Sequence, residues 1–234
     1  MRTINKEIYI KKVDQINETD IWIVDGKKIR SELDIEFVNF GHHFIFPYIP
    51  KSEFWLDKEA APNERCFYVN RMLIECDLIS KGTSYPEAKK SADKKEKAER
   101  KKHSVKTLEK ILNKKDLQKK SHCQLLKKLN NEIDIWLVYG KIVRDVFDID
   151  FTEGGHDLVY NYVPKNEVWI DDDLLASERP FVILHELFER SLMLTKKISY
   201  DEAHEKTSKL EWKARQDKNF LKEQLEKLGW RYQA

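Results

Sequence analysis

The chain has 234 residues, 41% hydrophobic, 11% aromatic and 36% charged, with a formal net charge of +2. That is enough apolar side chain for two small cores. No apolar run is long enough to cross a bilayer, and the opening Met1–Glu7 lacks the apolar stretch of a secretory leader. Cys66, Cys76 and Cys123 are odd in number, widely spaced and free of any CxxC pair, which points to thiols in a reducing, cytoplasmic setting.

The predicted elements come twice. Ile21-Trp22-Ile23-Val24-Asp25-Gly26 returns 114 positions later as Ile135-Trp136-Leu137-Val138-Tyr139-Gly140, Gly41-His42 as Gly155-His156, and Pro50–Asp57 as Pro164–Asp171. Glu64-Arg65 matches Glu178-Arg179, and after a one-residue slip Ser84-Tyr85 matches Ser199-Tyr200. Self-similarity at a fixed period marks a duplicated module, with copies expected over residues 1–115 and 116–234. Each copy opens with a short apolar strand, Ile21–Val24 or Ile135–Val138. In the second copy Phe147, Ile149 and Phe151 then alternate with polar residues at the strand period. Gly154-Gly155 reads as a hairpin turn, Leu158–Val163 as the returning strand, and Glu167–Asp171 as the last strand. The first copy offers Phe44–Ile49, where Pro47 argues for an edge, and Phe54–Leu56. Two helices follow. The first starts at Asn63 or Ser177 and in the second copy runs to about Thr195. The other opens on an S-x-x-E box at Ser84 or Ser199, and in the second copy continues through Leu221, Leu225 and Leu228. The expected class is α+β: a tandem repeat of a small antiparallel β-meander followed by two helices.

Between the copies, Lys89–Lys120 holds 14 Lys and Arg against five Asp and Glu. Such a segment can touch nucleic acid or an acidic membrane surface. The plainer reading is a solvated helix and linker, because Asp93, Glu96, Glu99 and Glu109 stand three or four positions from lysines and no aromatic is interleaved for base stacking.

The chemistry-bearing residues lie in the second copy. Its first helix reads Leu184-His185-Glu186-Leu187-Phe188-Glu189-Arg190, which puts His185 and Glu189 about 40° apart on one face with Glu186 beside them. The next helix supplies His204. Two imidazoles and a carboxylate form a three-ligand set that zinc accepts, with a fourth position left for water; Fe(II) and Mn(II) also suit it. Glu186 is then placed to take a proton from that water. Glu211, seven residues past His204, is expected to orient that imidazole, and Arg190 to pair with Glu186 or Glu211. Aligned with His185 through Glu189 in the first copy are Arg71-Met72-Leu73-Ile74-Glu75, and aligned with His204 is Lys89. Cations in place of both imidazoles, around a retained glutamate, are what loss of a metal site predicts. The bland alternative makes His185 and His204 ordinary half-buried helix residues. His42 and His156 recur beside the turn glycine, a position for unusual backbone angles or bonding across the hairpin, with substrate contact as the alternative. His43, His103 and His122 show no partner, and Trp22, Trp55, Trp136 and Trp169 read as core.

The His-Glu-x-x-Glu helix with a later histidine resembles the zincin-like metallopeptidases over the strand–helix–helix part of the second copy. It departs from their H-E-x-x-H at Glu189. The resemblance implies a metal-dependent hydrolase acting on peptides or proteins, with His185, Glu189 and His204 as ligands, Glu186 as base, and Glu167–Asp171 as the edge strand that aligns substrate. The first copy is then a degenerate scaffold or substrate-holding domain. The competing expectations are a non-enzymatic interaction module, with metal structural or absent, and a nucleic-acid-associated protein using Lys89–Lys120.

Overall fold

The computed structural model describes residues 6–102, 112–129 and 132–231. The chain divides into two compact units, Met1–Ile111 and Leu112–Ala234. The first contains β1 (Tyr9–Ile16), β2 (Thr19–Val24), α1 (Gly26–Glu32), β3 (Phe40–Gly41), β4 (Glu53–Asp57), α2 (Arg65–Ser80) and α3 (Tyr85–Arg100). The second contains α4 (Lys114–Ser121), β5 (His122–Leu129), β6 (Ile133–Val138), α5 (Gly140–Val146), β7 (Gly154–His156), β8 (Glu167–Asp171), α6 (Arg179–Thr195), α7 (Tyr200–Gln216) and α8 (Lys218–Lys227). The architecture is the expected α+β tandem repeat of sheet–helix units. The sequence boundary at 115/116 cuts α4, which belongs to the second unit: its Gln118 and Lys114 donate to the carbonyls of Tyr162 and Asn161.

Each unit builds one four-stranded sheet, ordered β1-β2-β4-β3 and β5-β6-β8-β7. Neither sheet is the expected antiparallel meander. β2 pairs parallel to β4, and β6 parallel to β8, while the outer pairs are antiparallel. Parallel neighbours need a crossover, and the short helix α1 or α5 with the loop after it supplies one. The stretch read as a strand at Phe147, Ile149 and Phe151 is the end of α5 and a following turn, and Leu158–Val163 and Phe44–Ile49 are turns as well. Gly154-Gly155 is not a hairpin turn but most of edge strand β7. The final helix breaks at Asp217, whose side chain accepts from the Asn219 and Phe220 N–H groups and starts α8.

Strand alternation explains the sandwich. In β8, Val168 and Ile170 join Ile135 and Leu137 of β6 under α6, whereas Trp169, wholly buried, faces the opposite layer with Val138, Val143 and Phe151. The first unit repeats this with Phe54 and Leu56 on one side and Trp55 on the other. Both faces are covered, so the central strands read as unbroken apolar runs. The outer strands β1, mostly exposed, and β5, half-buried, carry register shifts and hold Lys11, Lys12, Lys127 and Lys128, features that discourage edge-to-edge pairing.

One glycine in each unit has a steric reason. A Cβ on Gly26 would stand 1.7 Å from Asp57 Oδ2, and one on Gly140 2.1 Å from Asp171 Oδ1. The close approach lets the buried carboxylates meet Arg30 and Arg144 beneath the sheet. Among the described residues no helix is long and apolar enough to cross a membrane.

Candidate metal centre

Helix α6 buries Val182, Ile183, Leu184 and Leu187 against the sheet, so the neighbouring positions 185, 186 and 189 face α7 and the β7 edge. Helix α7 is capped by Ser199, whose hydroxyl accepts from the Glu202 N–H, and buries Ala203, Thr207, Glu211 and Ala214. The small side chains among them, Ala203, Thr207 and Ala214, let the two helices approach closely.

Across this seam three ligand-type atoms converge. His204 Nδ1 lies 3.0 Å and His185 Nε2 3.5 Å from the same oxygen, Glu189 Oε2, and the two ring nitrogens are 3.2 Å apart. Three ligands each 2.0–2.2 Å from one tetrahedral ion are separated by about 3.3–3.6 Å, so the triangle has the size an ion needs. The Glu189 side chain is 4% exposed, His185 14% and His204 32%, so the triangle opens to solvent on the His204 side.

Further contacts orient the three side chains. His185 Nδ1 donates to Glu211 Oε2 at 2.8 Å, which leaves the Nε2 lone pair directed at the triangle. Glu211 is held by Arg215 at 2.7 Å, and Arg215 reaches on to buried Glu178 at 2.8 Å. Glu189 keeps its second oxygen on His156 Nε2, 3.0 Å away. The Leu158 N–H donates to His156 Nδ1 at 3.2 Å, so Nε2 carries the proton and His156 is a donor to Glu189 rather than a metal ligand. Wholly buried, it is also closed to substrate.

Electrostatics separates the roles. Burial works against the Glu189 carboxylate, yet hydrogen bonds from His156, His185 and His204 hold it far below the usual range. Burial likewise opposes a His185 imidazolium, but Glu189 and Glu211 outweigh it and raise its pKa well above the ordinary value. Burial pushes the Glu186 carboxyl up to about 7, with the surrounding imidazoles pulling the other way. A Glu186 oxygen lies within 4.8 Å of Glu189 and His156. The position is therefore a protonatable carboxyl beside the triangle.

The first unit keeps the frame without counterparts of the His185 and His204 imidazoles. His42 Nε2 holds Glu75 at 3.0 Å, and the chain Glu64–Arg100–Glu96 runs where Glu178–Arg215–Glu211 runs. At the place of His185 the Arg71 guanidinium bridges Glu75 (3.1 Å), Glu96 (3.4 Å) and Asp93 (2.8 Å), and buried Met72 replaces Glu186.

Several partners differ from expectation. Glu211 orients His185 and not His204. Arg190 pairs with Asp157 at 2.6 Å and donates to Asn166 at 3.1 Å, because it leaves the α6 surface on the side of the β7–β8 connection. His122 has partners after all: it stacks on Trp136 at 4.1 Å and meets Glu167 at 2.8 Å. His103 lies outside the described residues. Strand β8 is internal, between β6 and β7, so it cannot align a substrate, and the edge strand β7 is itself buried. The Glu178–Arg215 link escaped sequence reading, although Glu64/Glu178 and Arg100/Arg215 recur in both copies. The acidic run Asp171-Asp172-Asp173 also clusters, but it is engaged by Arg144 and the Gly140 N–H. Comparison with family models, curated proteins and solved structures returns no match.

Proposed function

We propose that the second unit is a zincin-like, mononuclear metal-dependent hydrolase, with His185, Glu189 and His204 as ligands. The convergence of two ring nitrogens and one carboxylate oxygen within 3.0–3.5 Å carries this reading. Two imidazoles and one carboxylate suit zinc, with Fe(II) or Mn(II) as the other metals that accept the set. Among the described residues three protein ligands meet, and an incomplete set is the mark of a catalytic rather than a structural ion. When bound, such an ion supplies Lewis-acid activation of water and of a substrate carbonyl.

The chain's own residues divide the remaining work. Glu186 takes the proton from the attacking water and delivers it to the leaving group, a task suited to a carboxyl whose pKa is near 7. Glu211 fixes the His185 tautomer, and His156 fixes the Glu189 rotamer. Substrate approaches past His204 and the exposed Tyr200, whose rings lie 5.5 Å apart. A peptide or other carbonyl-centred bond is the substrate class this chemistry serves.

The alternative, an interaction module with a structural ion or none, draws support from the first unit, which keeps the same frame with Arg71 in the place of His185. Metal analysis of the purified chain, beside His185→Ala/His204→Ala, separates the two readings. Glu186→Gln is expected to keep one equivalent of metal and to lose at least about 100-fold in turnover of a mixed fluorogenic peptide library. Sub-stoichiometric metal in the unaltered chain, or undiminished turnover in Glu186→Gln, would overturn the proposal.

A further inference from the structure

Helix α3 of the first unit buries Ala88, Ala92, Glu96 and Arg100, so its other side faces solvent. At 100° per residue, Lys90, Lys94, Lys97 and Lys101 fall within about 60° of one another on that side, with Lys95 and Lys102 about 80–100° further round the helix. All six are exposed. The helix acids, which sequence spacing assigns to these lysines, are engaged elsewhere. Asp93 and Glu96 turn inward to Arg71 and Arg100, Asp93 also meets Lys89, Glu99 accepts from Asn70, and Glu87 accepts from Ser84. Among the described residues the six lysines have no ion-pair partner. The corresponding helix of the second unit is different: there Lys206 sits on Glu202 and Lys209 on Glu205. Like charges three and four residues apart disfavour a helix, a repulsion that the position of Lys97 in the last turn of α3 relieves only in part.

We propose that this lysine stripe docks the phosphate backbone of duplex nucleic acid. From Lys90 to Lys101 the helix rises about 16 Å, a length over which a duplex presents about ten phosphates. The stripe carries no aromatic side chain for stacking on unpaired bases and no fork-shaped donor for reading base edges, so the recognition is of backbone charge. An acidic membrane surface has the same charge, but a helix that lies in it needs an apolar face left over to insert. The apolar side of α3, Ala88 and Ala92, is already buried within the unit. This proposal is independent of the metal centre.

The full chain is titrated into a short fluorescein-labelled duplex DNA, reading anisotropy between about 50 and 200 mM salt. Four phosphate contacts predict a log–log salt slope of about −3.6. Lys90→Gln/Lys94→Gln/Lys97→Gln/Lys101→Gln is expected to weaken binding at least about tenfold and to flatten the slope. The same four positions changed to Arg are expected to retain binding. A control with Lys206, Lys209, Lys222 and Lys227 changed to Gln matches the net charge and is expected to bind like the unaltered chain, and melting curves check that each variant folds. Equal binding by the α3 Gln variant, equal loss in the control, or capture on phosphatidylserine vesicles with no binding to duplex would each overturn the proposal.

Discussion

Replacing Glu211 by Gln tests the centre through a residue that need never touch an ion. The substitution keeps the shape of a buried side chain but removes the charge that His185 Nδ1–H meets at 2.8 Å. Loss of such an orienting carboxylate weakens metal binding about 10–100-fold, or about 1.4–2.7 kcal/mol. The pH dependence is the sharper test. Without metal, Glu189 and Glu211 keep His185 protonated well above the ordinary imidazole range, against the pull of burial. An ion must displace that proton, so below the raised pKa the apparent affinity falls by about tenfold per pH unit. Removing Glu211 lowers the His185 pKa and so relieves part of this competition.

The penalty for Glu211→Gln is therefore largest in the alkaline range, where His185 is unprotonated in both proteins. It shrinks as pH falls through the His185 pKa of the unaltered chain. Competition of zinc against a chromophoric chelator, with separate determinations from about pH 6 to pH 9, reads the whole curve. Arg215 retains Glu178 and lies over the Phe181 ring, so the variant keeps its helix packing. A penalty that is constant with pH, or no penalty at high pH, would refute the assignment of His185 as a ligand steered by Glu211.

Asp157→Asn leaves the buried Arg190 without its carboxylate and should lower unfolding free energy by about 3–5 kcal/mol in urea titration at neutral pH. Burial opposes the Asp157 carboxylate, but Arg190 and the Asn166 N–H outweigh it and hold the folded pKa below the ordinary value. Its stabilisation is thus complete above about pH 4 and lost as pH drops through that lower folded value, so the gap between the two proteins should close in acid; a gap that widens would contradict this sign. In the first unit, Arg71→His/Lys89→His/Asp93→Ser recreates the imidazole pair between retained Glu75 and Glu96. It is expected to raise bound zinc from one equivalent to two without adding turnover, because Met72 stands where Glu186 would be needed, and unchanged stoichiometry would show that the frame alone does not make the site.

Much of this was legible in the chain because duplication lets each residue be compared with its counterpart. The convergence of His185, Glu189 and His204 followed from helical spacing within α6 and from the capping box that fixes the phase of α7. What spacing could not give was the neighbour across the seam. Glu211 and His204 share a helix face, but the separation between α6 and α7 puts Glu211 against His185 instead. Arg190 departs from its expected partners for the same reason, since Asp157 comes from a loop with no periodic signal. The sheet misled more. Tyr-Ile-Lys-Lys-Val-Asp-Gln-Ile, the β1 sequence, is an exposed edge whose lysines hide its strand period, and β7 is largely glycine because Gly154 lies against Val182 and Glu186, and Gly155 against Tyr160. Glycines that permit close packing look in sequence like glycines that permit a turn.

The two units together describe one acidic seat with different cations in it. A glutamate held by a buried histidine and a second glutamate held by a buried arginine face each other in both, as Glu75 with Glu96 and Glu189 with Glu211. Two carboxylates this close and this buried require positive charge between them. The first unit fills the gap permanently with the Arg71 guanidinium, which cannot lose its proton in a protein. The second fills it with His185, which can hold two protons, or one proton on the Glu211 side and an ion on the other. Arginine makes the seat a fixed part of the core, whereas histidine makes it exchangeable. The Met72-to-Glu186 difference fits the same division under the proposed function, where a carboxyl with a pKa near 7 beside the centre is suited to moving a proton.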